Sequence, residues 1–221
     1  MRKLLIQILG LCFSLALGCA LALAAPKTPQ EWSKAVQKRY AEVQTMRAVF
    51  EQRITHAESS STEERRGEIY FQKPLLVRWT TEPPRRELLV ITDALIWQYF
   101  PDEELAYKYP LESVDDKNAF LRVLFGLSSL EESFEITVLS EENKLAKLKL
   151  EPYEPSVSLL EAAVWVEAES ATIRRLAITD FYGNISEINM TALDFNLPVP
   201  EGTFAFTPPE GTEIEDHTGG R

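Results

Sequence analysis

Cysteine and histidine are almost absent from this sequence, at two residues each. Both cysteines, Cys12 and Cys19, fall in the first two dozen residues, so the chain from residue 25 onward holds none and no disulfide can staple it. His56 stands beside an acidic, Ser-rich stretch and His217 near the C-terminus, neither with a helper nearby in sequence. This speaks against a Cys/His or Ser/His/Asp hydrolase and against zinc held by His and Cys, and the reading is of a protein with no catalytic residues, no metal and no cofactor. A Gly-rich phosphate loop is also missing, which speaks against a nucleotide-binding α/β fold. Basic residues are in deficit, 23 against 34 acidic, for a formal net charge of −11. So acidic a chain is a poor ligand for nucleic acid and is repelled by anionic lipid headgroups.

What is present begins with Met1-Arg2-Lys3 running into an apolar stretch, Leu4 to Leu23, that ends in small residues. This is the layout of a secretory signal peptide over residues 1–24, cleaved after Ala24 with Ala22 and Ala24 as the small pair. Two other readings stay open: an uncleaved anchor, because about 20 apolar residues suffice to span a bilayer, and lipid attachment at Cys19, whose preceding Ala16-Leu17-Gly18 loosely resembles a lipoprotein processing box. Cleavage removes two bases and no acid, taking the formal charge from −11 to −13. Residues 25–221 are enough for one domain with a core that needs no cross-links.

From Thr28 to Met46 the residues Trp32, Val36, Tyr40 and Val43 recur at helical spacing, with Thr28 as N-cap and Pro29 at the first helical position. The period then drops to two. Short β-branched and aromatic runs bounded by turn residues predict strands at 47–55, 67–72, 75–81, 87–92, 96–100, 105–109, 134–139, 145–150, 163–167, 173–179 and 185–195. Between the two groups, Asp115 to Leu130 reads as a second helix with a broad apolar face. Only Asp216 to Arg221 reads as a loose tail. The fold class is α+β, mainly β: one curved antiparallel sheet with helices across its concave side.

Leu75, Val77 and Trp79 share one face of their strand, Trp97 and Tyr99 share a face of theirs, and Leu88-Leu89-Val90-Ile91 is apolar on both faces. A sheet with one wet face alternates more cleanly than this. Either these residues are ordinary core and edge packing, or some line a cavity suited to an apolar ligand. The acidic pairs, such as Glu63-Glu64, Glu131-Glu132 and Glu141-Glu142, adjoin turn signals and read as solvated surface rather than as calcium ligands or a glycosidase pair.

Several segments, taken in order, resemble the outer-membrane lipoprotein carrier family, the LolA family: Met46 to Gln52, Gly67 to Phe71 leading to Lys73-Pro74, Arg78-Trp79, Glu87 to Val90, Trp97-Gln98-Tyr99, Leu124-Phe125-Gly126, Asp180 to Asn184 and Phe204 to Gly211. The resemblance implies an incomplete (half) antiparallel β-barrel, lidded by helices, whose interior takes up the acyl chains of lipoproteins. Such a carrier is a periplasmic monomer that receives acylated lipoproteins from a releasing transporter complex in the inner membrane and delivers them to an outer-membrane acceptor. Carried over by position, Val77, Trp79, Leu89 and, less centrally, Trp97 line the sheet side of the acyl-chain cavity, with Phe120, Leu121, Val123 and Leu124 facing it from the lid helix. Related half-barrels that carry other lipids or glycolipids, or that sense mislocalised lipoproteins, remain alternatives.

Two positions depart from the family pattern. Lys73 stands where many members have an Arg that holds the lid by hydrogen bonds to backbone carbonyls, and a compact ammonium satisfies several carbonyls less readily than a planar fork. It is either a looser lid latch or a solvated loop residue. Thr92-Asp93-Ala94 lacks the turn glycine usual near there, so the hairpin between the Leu89 and Trp97 strands turns by other means and its register is open.

Overall fold

The computed structural model describes residues 27–113 and 129–219. Helix α1 (Pro29–Ala41) begins as the sequence suggests: the Glu31 amide donates to the Thr28 hydroxyl at 3.2 Å, and the Thr28 amide donates to the Glu31 carboxylate at 2.7 Å. That carboxylate is held below the usual range mainly by the Thr28 amide bond. The helix ends five residues earlier than periodicity suggests, because strand β1 (Thr45–Thr55) has already begun at Thr45.

Strands β2 (Thr62–Gln72), β3 (Leu76–Thr81), β4 (Glu87–Ile91), β5 (Leu95–Phe100) and β6 (Leu105–Pro110) follow as an antiparallel meander. A 3-10 turn (Leu111–Ser113) closes the first described segment, and the second opens with a single helical turn α2 (Leu130–Ser133). A second meander runs through β7 (Phe134–Glu142), β8 (Leu145–Pro152), β9 (Glu161–Glu167), β10 (Ile173–Thr179) and β11 (Ile185–Phe195). A last strand, β12 (Glu213–Asp216), follows near the C-terminus. Pairing of β1 with β11 joins the meanders into one sheet of order β12-β6-β5-β4-β3-β2-β1-β11-β10-β9-β8-β7. The edges, β12 and β7, do not pair. The architecture is the incomplete barrel expected: an open, mainly antiparallel sheet of α+β class.

All eleven expected strands are present, and the twelfth is a correction. Strand β12 pairs in parallel with β6 and reaches only the first residue, Asp216, of the segment expected as a loose tail. Its chemistry explains the order: Lys108 pairs with Asp216 at 2.8 Å, and the His217 ring stacks on Tyr109 with centroids 4.9 Å apart. The expected helix over 115–130 falls outside the described residues except for its last two positions, Ser129 and Leu130, of which Leu130 opens α2.

The hairpin at 92–95 turns without glycine. The Thr92 hydroxyl accepts from the Leu95 amide at 2.9 Å and from the Ala94 amide at 3.3 Å, and the Thr92 amide donates to the Leu95 carbonyl at 2.8 Å. Neither Asp93 nor Ala94 takes a positive φ. The register this sets opposes Leu89 to Gln98 and Val90 to Trp97.

Candidate functional site

Strand pairing fixes which side chains share the inner face, because residues directly opposite one another in a ladder point the same way. Across β1 to β6 one inner row runs Met46, Phe71, Val77, Ile91, Ile96, Tyr109. The next runs Ala48, Ile69, Trp79, Leu89, Gln98, Tyr107. Above them Phe50 stands opposite Gly67 and Thr81 opposite Glu87, and Gln52 stands opposite Arg65. The inner face is thus an apolar floor that changes to polar side chains toward the strand ends at the 56–61 and 82–86 turns.

Phe50 can lie across this floor only because residue 67 has no side chain. A Cβ at Gly67 would fall 1.9 Å from the Thr80 carbonyl oxygen and 2.9 Å from Phe50 Cζ. The Phe50 ring instead meets Trp79 edge-on, with centroids 5.1 Å apart.

Helix α1 lays Trp32, Val36 and Tyr40 on the inner face of the other wing. Trp32 Nε1 donates to Glu141 of β7 at 3.0 Å, and the Tyr40 hydroxyl accepts the Ile173 amide of β10 at 3.2 Å. Burial of that phenol pushes its pKa up to about 12, so it stays a neutral acceptor. On β11, Phe195 is sandwiched between the Tyr40 ring at 6.1 Å and the Arg39 guanidinium at 4.2 Å. The C-terminal end of α1 is held from the opposite wing by Lys73, whose Nζ donates to the Ala41 carbonyl at 2.7 Å and the Tyr40 carbonyl at 3.2 Å. Lys73 is therefore no free loop residue; it bonds the last two carbonyls of a helix C-terminus, where a cation is favoured.

Of the residues named from the sequence, Val77, Trp79 and Leu89 come together on the inner face. Val77 is buried, while Trp79 and Leu89 are half-buried members of the wall, along with Leu75, Tyr109, Ile136 and Val138. Phe120, Leu121, Val123 and Leu124 lie outside the described residues. Trp97 is a correction: its register partner Val90 points away from Leu89, so the indole sits on the outer face.

There the C-terminal segment covers it. Phe206 packs against Trp97 at 5.7 Å and Tyr99 at 5.4 Å, and Arg78 Nη1 reaches the carbonyls of Thr203 and Ala205 at 3.3 and 3.4 Å. The two apolar faces of β4 thus have separate causes. Leu88 and Val90 are buried on the strapped outer face, whereas Leu89 and Ile91 face the interior.

Sequence reasoning missed the polar rim of the trough. Arg65, with only 17% of its side chain exposed, binds Glu63 at 2.9 Å and Glu87 at 3.5 Å, and Gln98 donates to Glu87 at 2.9 Å. Counting in twos back from Ile69 and Gly67 would have put Arg65 and Glu63 on this face. The Arg65 hydrogen bond is the main reason that the Glu63 carboxyl lies below its ordinary pKa. Each carboxyl group whose pKa departs clearly from normal, among the described residues, is shifted down, opposite to what a general acid at neutral pH requires. No group of three or more His, Cys, Asp or Glu converges on a metal-sized site among the described residues.

A family model described as "Outer membrane lipoprotein carrier protein LolA" matches residues 41–207. An outer-membrane lipoprotein carrier protein of Alkalilimnicola ehrlichii is 29% identical over 217 residues, covering 97% of this chain and 95% of the relative. Another, from Pseudoalteromonas translucida, is 25% identical over 199 residues, covering 90% and 94%. Among solved structures, an uncharacterized conserved protein from Thermus thermophilus superposes with a TM-score of 0.56 at 14% identity, over 86% of this chain and 100% of that one. This last likeness concerns the fold alone.

Proposed function

The chain belongs to the outer membrane lipoprotein carrier family, LolA, and from that premise we propose that it is a periplasmic carrier, without catalytic activity of its own, that shelters the acyl chains of lipoproteins in the trough of its half-barrel. The observation that carries this reading is the amphipathic inner face. Its apolar rows, with Trp79 and Leu89 only half-buried, supply a surface for hydrocarbon, and the Arg65, Glu63, Glu87 and Gln98 rim supplies a place for a polar head.

The magnitude explains the need. At about 0.8 kcal/mol per CH₂, a chain of ~16 carbons resists passage through water by roughly 12 kcal/mol. A shuttle must hide that surface and still release it. Across the two wings, the end of α1 is tied by one ammonium on two carbonyls, a link that costs little to break.

In this reading the leader over residues 1–24 directs export and is removed. Cargo enters from a releasing transporter complex of the inner membrane and leaves to an acceptor at the outer membrane, with the carrier acting as a monomer. Native mass spectrometry with lipid extraction on protein taken from its own host's periplasm without detergent tests this. Acylated protein in the bound fraction is the expected result, whereas free phospholipid or glycolipid alone would replace lipoprotein as the cargo.

A further inference from the structure

The hairpin between β10 and β11 carries two aromatic side chains that nothing in the carrier reading uses. Phe181 is 66% exposed and Tyr182 70%, their rings packed edge to face at 5.7 Å, and beside them Val157 is 62% exposed. Large apolar groups at a loop tip are ordinarily a liability, and this tip is built rigidly around them.

The Phe181 amide donates to the Val157 carbonyl at 3.0 Å, the Tyr182 amide to Asp180 Oδ1 at 2.9 Å, the Gly183 amide to the Asp180 carbonyl at 3.0 Å, and the Asn184 amide to Asp180 Oδ1 at 2.9 Å. Gly183 closes the turn at φ +80°. Asp180 Oδ2 takes the Asn184 side-chain amide at 2.8 Å, and Asn184 Oδ1 accepts from the Ala57 amide at 3.0 Å. Four successive backbone donors and both oxygens of the tip's one carboxylate are therefore satisfied inside the protein. Aspartate-led turns at water-exposed tips also bond in this way, although water could serve the same groups. A loop that enters a medium poor in water does need it.

We propose that Phe181 and Tyr182, with Val157, form a shallow anchor that dips into the headgroup region of a neutral phospholipid bilayer. Aromatic rings with one polar edge favour that interface. The three side chains are too few for a stable protein interface, which takes about 800 Å² on each partner. The acidic chain, at −13 without the leader, is repelled by anionic lipid, so neutral headgroups are the surface it can approach.

The location gives the contact a use. The Asn184 bond to Ala57 ties the tip to the β1–β2 turn, and Arg65 and Glu63 of the polar rim stand on β2 just beyond that turn. A bilayer touched by Phe181 therefore faces the polar end of the trough. This use rests on the carrier reading, while the membrane contact itself rests on the tip alone.

The test is flotation of the host-processed protein with phosphatidylcholine vesicles at millimolar lipid. Wild type is expected to float, and Phe181→Ser with Tyr182→Ser to lower the bound fraction at least tenfold with an unchanged circular dichroism spectrum and melting temperature. A second variant, Phe181→Trp, is expected to gain tryptophan emission that brominated phosphatidylcholine quenches. Failure of wild type to float, equal flotation of the double variant, or capture of the tip by membrane proteins without vesicle binding would each overturn the anchor. Leu89→Glu separates the two ideas: it is expected to keep vesicle binding whatever becomes of acyl-chain binding.

Discussion

The Lys73 ammonium lies 2.7 Å from the carbonyl oxygen of Ala41, the last residue of α1, and so ties the β2–β3 turn to the end of the covering helix. With Tyr40 as its second acceptor, this one side chain bonds the last two carbonyls of the helix, of which that of Tyr40 also accepts the Val43 amide at 3.3 Å. Lys73→Met is expected to cost about 1 kcal/mol, below the usual range for charged hydrogen bonds because the group is partly solvated. Lys73→Arg is expected to keep the contact. Denaturant midpoints read the cost, and amide exchange localised to 36–41 distinguishes a freed helix from a general loss.

Gly67→Ala tests the packing of the floor. The new methyl would strike backbone at Thr80, which cannot yield without parting β2 from β3, and then the Phe50 ring. The expected loss is about 3 kcal/mol or more, at the upper end for overpacking. An unchanged melting temperature would mean that the strands are further apart than described.

The two tryptophans of the first wing lie on opposite faces and make opposite predictions. Trp79→Ser removes part of the trough and is expected to weaken binding of an acylated probe at least tenfold. Trp97→Ser loosens the packing under Phe206 and is expected to lower the melting temperature while leaving probe affinity within twofold. A shared effect on binding would put Trp97 back in the site.

Phe206→Ala is expected to release the C-terminal strap from the outer face at about 2 kcal/mol, combining lost apolar burial with two aromatic contacts. Faster proteolysis after residue 196, with dye binding to the uncovered Leu88 and Val90, is the expected readout.

How far the sequence carried this account differs from element to element. Strand positions and the Thr28 cap were legible because period and capping chemistry are local. The family was legible through ordered segments such as Gly67 to Phe71 and Phe204 to Gly211. The side on which Trp97 points was not, since it depends on a hairpin register set by the Thr92 hydroxyl in place of a glycine. Nor was the reason for the doubly apolar β4, because the strap that covers Leu88 and Val90 arrives from more than a hundred residues away. Pairing of β12 with β6 escaped for the same reason: four exposed polar-rich residues carry no strand signal until Lys108 meets Asp216 and Tyr109 meets the adjoining His217.

The most direct measurement is the affinity of the host-processed protein for a fluorescent acylated peptide, compared with that of Leu89→Glu. Leu89 stands half-buried in the apolar floor between Trp79 and Gln98, so a carboxylate there spoils the surface for hydrocarbon while the strand keeps its pairing. The predicted result is a folded variant, melting within a few degrees of wild type, that binds the probe at least tenfold more weakly. Undiminished binding by a folded Leu89→Glu protein would contradict the claim that the inner face is where acyl chains are carried.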